Sequence, residues 1–171
     1  MGLLADTGAD VAQQIEQAWF GNCGMGTFGQ RNIRGQVCFT PLVREGIFPE
    51  RVPLINVEGG CATASMAFHG AYKDILSGEC DLSLAMGVEK TFFPGDPERT
   101  MEIFQGGIDQ FDPQEWQAYY RMAGEQSGKP FVTNSGGGTL FMDTYAMQAA
   151  YHMKTFGTTR EQIAFASSKN H

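Results

Sequence analysis

The run from Val52 to Glu89 constrains the fold most, because it changes period twice between glycine stops. It reads "VPLINVE", a glycine pair, "CAT", "ASMAFHGAYKDILSG", "EC" and then "DLSLAMGVE". The short apolar run Val52 to Glu58 predicts a strand, Ala64 to Gly78 predicts a helix of about four turns closed by a glycine, and Asp81 to Glu89 predicts a second strand. Two strands joined through a helix lie parallel in one sheet, with a right-handed connection. The fold class is therefore α/β, a parallel-rich sheet with flanking helices. Upstream, "QQIEQAWFGN" (Gln13 to Asn22) predicts a strand running into a glycine loop. "QRNIRGQVCFTPLVREG" (Gln30 to Gly46) has apolar residues near helical spacing, with Pro41 as a kink or break.

From Lys90 to Thr139 the rhythm stops. Fifty residues without structure are improbable in a compact domain, so a folded excursion over the sheet is expected across about 90–139. Regularity returns with a helix over Leu140 to Gly157, whose Met, Tyr and Ala content favours burial. A last helix follows, started by a capping box at Thr158 with Glu161 or at Thr159 with Gln162.

Charge and composition remove several classes of function. With 171 residues and 42% apolar content the chain is long enough for a core. Twelve basic against nineteen acidic residues, a net charge of -7, and no Lys/Arg block leave no electrostatic basis for binding nucleic acid. No run approaches the roughly 20 apolar residues of a membrane span. "MGLLADTGAD" has neither a secretory n-region nor an h-region, and lacks the Ser/Thr of a myristoylation site. A cytoplasmic protein is expected.

The four cysteines, Cys23, Cys38, Cys61 and Cys80, form no CxxC and meet no paired histidines, so no metal site is expected. Cys38 and Cys80 read as core residues, and Cys23, in "GNCGMGTFG", as exposed on a flexible loop. Cys61 is different. Gly59 and Gly60 permit a sharp exit from the strand, which puts the thiol at the first turn of a helix. The helix dipole and unpaired N–H groups there favour a thiolate, and Thr63 can donate its hydroxyl locally. Physics alone leaves two readings open, a nucleophile or a small side chain filling a crowded corner. The letters Gly24-x-Gly26-x-x-Gly29 match a dinucleotide fingerprint, but Glu45 and Glu50 are poorly placed as its acidic residue. "NSGGGT" lacks the Lys-Ser/Thr of a phosphate loop. His69 and His152 read as surface or structural residues.

The segment "PLINVEGGCATASMAFHGAYKDILSGECDLSLAMGVEK" resembles the nucleophile region of thiolases, particularly the sterol carrier protein (SCP2) type and acetyl-CoA acetyltransferases. The resemblance rests on Asn56, Cys61-Ala62-Thr63, Ser65, Ser77-Gly78, Asp81 and the run Leu84 to Lys90, with further likeness in "FGNCGMGTFGQR" and "SSKNH". It implies a thiolase-like fold, with 1–171 as a partial N-terminal thiolase domain. It also implies an acyl-CoA C-acyltransferase in which Cys61 is the catalytic residue. Cys61 would take an acyl group as a thioester, and Claisen condensation or thiolytic cleavage of a 3-ketoacyl-CoA would follow. CoA thioesters are then substrates and no further cofactor is implied; CoA-contacting residues are unassigned.

The family's histidine motifs and its Cys-x-Gly motif belong to a second half that nothing here matches. His171 falls in the "KNH" that the family carries before an Asn-Pro segment and reads as structural, and the chain alone is not expected to turn over. Homodimerisation is implied, with Val52 to Glu58 near the two-fold axis, as is a small OB-fold partner in some relatives. An isolated chain of this kind is expected to leave apolar surface uncovered. The alternative is a non-catalytic, aldolase-linked or lipid-transfer-linked subunit of the same fold; retention of Cys61 counts against it. Acyl chain length, reaction direction and pathway are not written in these residues.

Overall fold

The computed structural model describes residues 9–132 and 140–171. The readings of "MGLLAD" and "NSGGGT" lie outside them. The chain divides into two compact units, Met1–Ile108 and Asp109–His171. The stretch 90–139 is therefore shared between the units.

The first unit is a three-stranded parallel sheet in the order β2-β1-β3. It begins with α1 (Ala9–Gln14) and β1 (Gln17–Gly21), so the first strand is shorter than its apolar pattern and starts after a helical turn. A 3-10 turn (Gly24–Phe28) leads to α2 (Arg34–Arg44), which continues through Pro41. Then come β2 (Leu54–Val57), a 3-10 turn (Gly60–Ala62), α3 (Thr63–Ser77) and β3 (Ser83–Gly87). The two strands expected to share a sheet do so, with β1 inserted between them: Trp19 pairs with Ile55 on one side and Ala85 on the other. The unit closes with α4 (Pro97–Gln105), whose N-cap Asp96 accepts the Arg99 N–H at 3.0 Å.

Alternation along β1 sets the two helices on opposite faces. Successive strand residues point to opposite sides of a sheet. A Cβ on Gly35 of α2 would stand 2.8 Å from the Cβ of Phe20, and a Cβ on Gly70 of α3 would stand 2.4 Å from the ring of Trp19. Neighbouring residues Phe20 and Trp19 thus each receive a helix at a glycine. On the Phe20 side lies the core, Ile15, Ala18, Phe20, Phe39, Phe48 and Val52. The Phe39 ring meets Phe20 edge-on at 6.1 Å and Phe48 at 4.5 Å. On the other side Trp19 Nε1 donates to Asp74 at 2.6 Å, and Ser83 Oγ donates to the same carboxylate oxygen at 3.0 Å. That pairing satisfies a carboxylate left only 8% exposed.

Asn56 and Asp81, both in the resemblance, have structural work. Asn56 Oδ1 accepts the Gly35 N–H at 2.6 Å and its Nδ2 donates to Gln36 at 2.7 Å, pinning the start of α2 to β2. The Asp81 N–H donates to Glu16 at 2.7 Å, closing the loop before β3. Gly78 ends α3 with φ 73, as its position required. The outward face of α3 is apolar: Phe68 is 66% and Leu76 67% exposed, with Tyr72 beside them, so the chain does leave apolar surface uncovered.

The second unit holds α5 (Pro113–Ser127), α6 (Leu140–Phe156) and α7 (Arg160–Lys169). Asp112 caps α5 by accepting from Gln114 and Glu115, and the capping box of α7 is the Thr159/Gln162 alternative. The expected burial of α6 is corrected. Met147 alone in it is buried, whereas Met142, Tyr145, Tyr151 and Phe156 are exposed. Its apolar residues encircle the helix, but α5 packs against one side only.

Because the Trp19 ring occupies the space a side chain at 70 needs, Gly70→Ala is expected to destabilise the chain by about 1–3 kcal/mol. Urea unfolding followed by tryptophan fluorescence measures this; an unchanged midpoint contradicts the packing described.

Candidate active site

The three parallel strands end together, and the candidate site is built on those ends. Gly21 pairs with both Val57 and Gly87. One residue beyond Val57 stands Glu58, and two beyond Gly21 and Gly87 stand Cys23 and Glu89. Ligands of open α/β sheets bind outside the carboxyl ends of the strands.

Cys61 lies in the turn between β2 and α3, and it is exposed. Sequence reasoning put it in the first turn of the α-helix. The structure puts it one step earlier, in the 3-10 turn that ends where Thr63 opens α3. Gly60 has φ 55, a left-handed conformation open to glycine. The turn is braced from both sides. Glu58 Oε1 accepts the Gly60 N–H at 2.7 Å; the Thr63 hydroxyl accepts the Gly59 N–H at 2.9 Å and donates to the Gly60 carbonyl at 2.7 Å. Thr63 is itself buried, and its methyl faces Gly21, where an added Cβ would stand 2.8 Å away. The local donor expected of Thr63 is thus present, and it holds the turn.

Cys23 is the residue the sequence misplaced. It is half-buried rather than exposed on a loose loop, and its Sγ contacts Glu89 Oε1 at 3.1 Å and the Gly60 carbonyl at 3.6 Å. Glu89 gathers the loop around itself. Its carboxylate accepts the N–H groups of Cys23 and Gly24, the latter at 2.9 Å, and the side-chain amide of the buried Asn22 at 3.2 Å. A Cβ at Gly24 would stand 2.7 Å from Glu89 Oε2, so a side chain there would displace the carboxylate from its present position. Burial, and then the hydrogen bond and charge of Glu89, push the Cys23 thiol above its ordinary pKa, against a smaller lowering from Thr63. Burial also raises Cys38. Cys80 is buried, as expected. A signal for Glu89 was available: a carboxylate two residues past the glycine that ends an apolar strand matches the offset of Cys23 from Gly21.

The histidines stand away from this turn or outside the unit. His69 is exposed on α3. His152 belongs to the second unit, where its Nδ1 lies 2.8 Å from Thr158 Oγ1 and its ring meets that of Phe156 at a tilt, centroids 4.8 Å apart; His171 is exposed in that unit. Among the described residues no group of three or more His, Cys, Asp or Glu side chains could hold a metal. No helix among them is long and apolar enough to cross a membrane.

An exposed thiol therefore stands on a braced strand–glycine–helix corner at the carboxyl end of a parallel sheet, in an α/β protein. Residues 51–100, from just before β2 into α4, match the family described as beta-ketoacyl synthase, N-terminal domain. Along all of its length the chain is 30% identical to an acetyl-CoA acetyltransferase of Methanothermobacter thermautotrophicus. Over 91% of its length it is 28% identical to an acetyl-CoA acetyltransferase of Methanocaldococcus jannaschii. Over 98% it is 27% identical to the benzoylsuccinyl-CoA thiolase subunit BbsB of Thauera aromatica. The chain spans 37%, 32% and 34% of the length of these curated relatives. No solved structure matches it significantly. These matches together support a place for the chain in the thiolase family.

Replacing Glu89 by Gln removes the charge that opposes Cys23 ionisation. Alkylation of Cys23 at mildly alkaline pH is expected to accelerate, by about tenfold for each unit its pKa falls. Peptide mapping after iodoacetamide pulses gives the rate, and no change in Glu89→Gln contradicts the assigned role of Glu89.

Proposed function

We propose that the chain carries the acyl-acceptor site of a thiolase-type acyltransferase, with Cys61 as nucleophile and CoA thioesters as substrates. The exposed Cys61 thiol on a turn braced by Glu58 and Thr63 carries this reading. In the first step Cys61 Sγ bonds to the thioester carbonyl carbon, the carbonyl C–S bond to CoA breaks, and the CoA thiolate takes the proton that Cys61 gives up. In the second, an α-carbon that has lost its proton attacks the Cys61 thioester and frees the Cys61 thiolate. The reverse sequence is thiolytic cleavage of a 3-ketoacyl-CoA. Splitting one acyl transfer into two steps lowers each barrier. The base for the α-proton is assigned to no residue of this chain, so acylation of Cys61 is the half-reaction proposed for it.

The sterol carrier protein type, a role in lipid metabolism and an OB-fold partner rest on the resemblance, and the proposed cytoplasmic location on the sequence alone. Homodimerisation has further support: β2 is an edge strand, and the outward face of α3 is apolar. Self-association is expected in sedimentation velocity, and a monodisperse monomer contradicts it.

Brief exposure to acetyl-CoA at neutral pH is expected to leave an acetyl group on the peptide containing "GGCATAS", labile to hydroxylamine. Cys61→Ala abolishes it, while Cys23→Ala, Cys38→Ala and Cys80→Ala do not. An acyl group on another cysteine, or label surviving in Cys61→Ala, contradicts the assignment.

A further inference from the structure

We infer that Cys23 is the resolving thiol of a peroxide-driven disulfide with Cys61, which withdraws the nucleophile from acyl transfer under oxidising conditions. The inference rests on the acyl-acceptor reading of Cys61 above. Two strand ends carry the pair to one corner, Cys23 two residues beyond β1 and Cys61 four beyond β2. Cys23 Sγ lies 3.6 Å from the Gly60 carbonyl oxygen and 3.9 Å from the Thr63 hydroxyl, so the sulfur is held between the residue before Cys61 and the residue two after it. Across a trans peptide a carbonyl oxygen sits about 2.8 Å from the next Cα, which puts Cys61 Cα within about 6.4 Å of Cys23 Sγ. The other two cysteines are elsewhere: Cys80 precedes β3, at the amino ends of the strands, and Cys38 lies in α2 with its Sγ 3.9 Å from Met25 Sδ. A disulfide brings its two Cα atoms to about 4.4–6.8 Å, and the turn can supply what movement that needs. Gly59 and Gly60 precede Cys61, and a Cβ at Gly60 would meet nothing within 4 Å, so the turn has open space around it.

The order of events follows from exposure. Cys61 is open to solvent and meets the oxidant first, whereas Cys23 is half-buried and held protonated by its surroundings. In the first step the Cys61 thiolate attacks one oxygen of hydrogen peroxide. An S–O bond forms, the O–O bond breaks, and the departing hydroxide leaves as water with the proton Cys61 had given up. The sulfur loses two electrons and the peroxide gains them. In the second step Cys23 Sγ bonds to the sulfur of the Cys61 sulfenic acid, the S–O bond breaks, and hydroxide leaves as water with the proton of the Cys23 thiol. Glu89 Oε1, 3.1 Å from Cys23 Sγ, is placed to receive that proton as the S–S bond forms. In sum, two thiols and one peroxide give one disulfide and two waters. Added dithiol reverses the bond by exchange, and until then Cys61 is kept from irreversible oxidation to the sulfinic acid.

Trypsin places the four cysteines on four peptides, Met1–Arg31, Gly35–Arg44, Val52–Lys73 and Asp74–Lys90, so the pairing can be read directly. The full chain is treated with dilute hydrogen peroxide, quenched with N-ethylmaleimide and mapped without reductant. The expected product is Met1–Arg31 joined to Val52–Lys73, two hydrogens below the sum of their masses, recovered from chains that run as monomers on a non-reducing gel. Acetylation of Cys61 by acetyl-CoA is expected to fall at least about tenfold in the oxidised chain and to return within about twofold after dithiothreitol. In Cys23→Ala the same peroxide leaves a dimedone-reactive sulfenic acid on Cys61, and with time the loss no longer reverses, because the sulfenic acid goes on to sulfinic acid. No joined peptide, a joint found only between two chains, equal pairing of Cys61 with Cys38 or Cys80, or full dithiothreitol recovery in Cys23→Ala overturns the switch. Acetylation of the reduced chain is measured beforehand and reads the reaction separately. If Cys61 is acetylated and no Cys23–Cys61 disulfide forms, the switch is overturned and the acyl-transfer reading stands. If the reduced chain is not acetylated, that reading fails, and the peptide map still decides whether the two thiols pair.

Discussion

The indole of Trp19 lying on the bare backbone of Gly70 is the contact on which the rest of the first unit depends. It lets α3 approach β1 closely, and the Trp19–Asp74 hydrogen bond fixes the helix along its length. Where α3 starts is then decided, and with it the position of the turn that carries Cys61. Phe20, one residue on, faces the other way and receives α2 at Gly35. One strand therefore organises both faces of the sheet. Because all three strands run parallel, their carboxyl ends bring Cys23, Glu58 and Glu89 to the same edge as Cys61.

Environment rather than sequence context separates the four cysteines. Cys61 is exposed on a turn whose backbone groups are bonded to Glu58 and Thr63. Cys23 is only one contact away from that turn, yet burial and the Glu89 carboxylate favour its protonated form. Cys38 is half-buried against the core and Cys80 is buried. In the proposed acyl transfer the thiolate is the nucleophile, so selectivity is gained when the other cysteines are held as thiols.

The parts of this arrangement that were legible in the sequence are the local ones. Strand β2, helix α3 and strand β3 follow from apolar period and glycine stops, and the sharp exit before Cys61 follows from Gly59-Gly60. The position of β1 between the other two strands was not legible, because a parallel pairing of residues 17–21 with 83–87 leaves no mark in either segment alone. For the same reason Cys23 read as loose: its partner Glu89 is 66 residues away. The burial expected of α6 failed for a different cause. Apolar content shows that a helix can be covered, and only tertiary packing shows which face is; α5 covers the side of Met147 and leaves Met142 and Tyr145 exposed. Thr63 is an intermediate case, since a local hydrogen bond was foreseeable and its bracing of Gly59 and Gly60 was not.

Acylation of Cys61 on this corner is the proposal on which the functional reading rests. A crystal structure of the chain trapped with acetyl-CoA tests it most directly. The account requires continuous density from Cys61 Sγ to an acetyl carbon, with Gly60 still in its left-handed turn and Thr63 still bridging Gly59 and Gly60. An acetyl group on Cys23, or an unmodified Cys61 packed into the corner with the donor bound elsewhere, contradicts it.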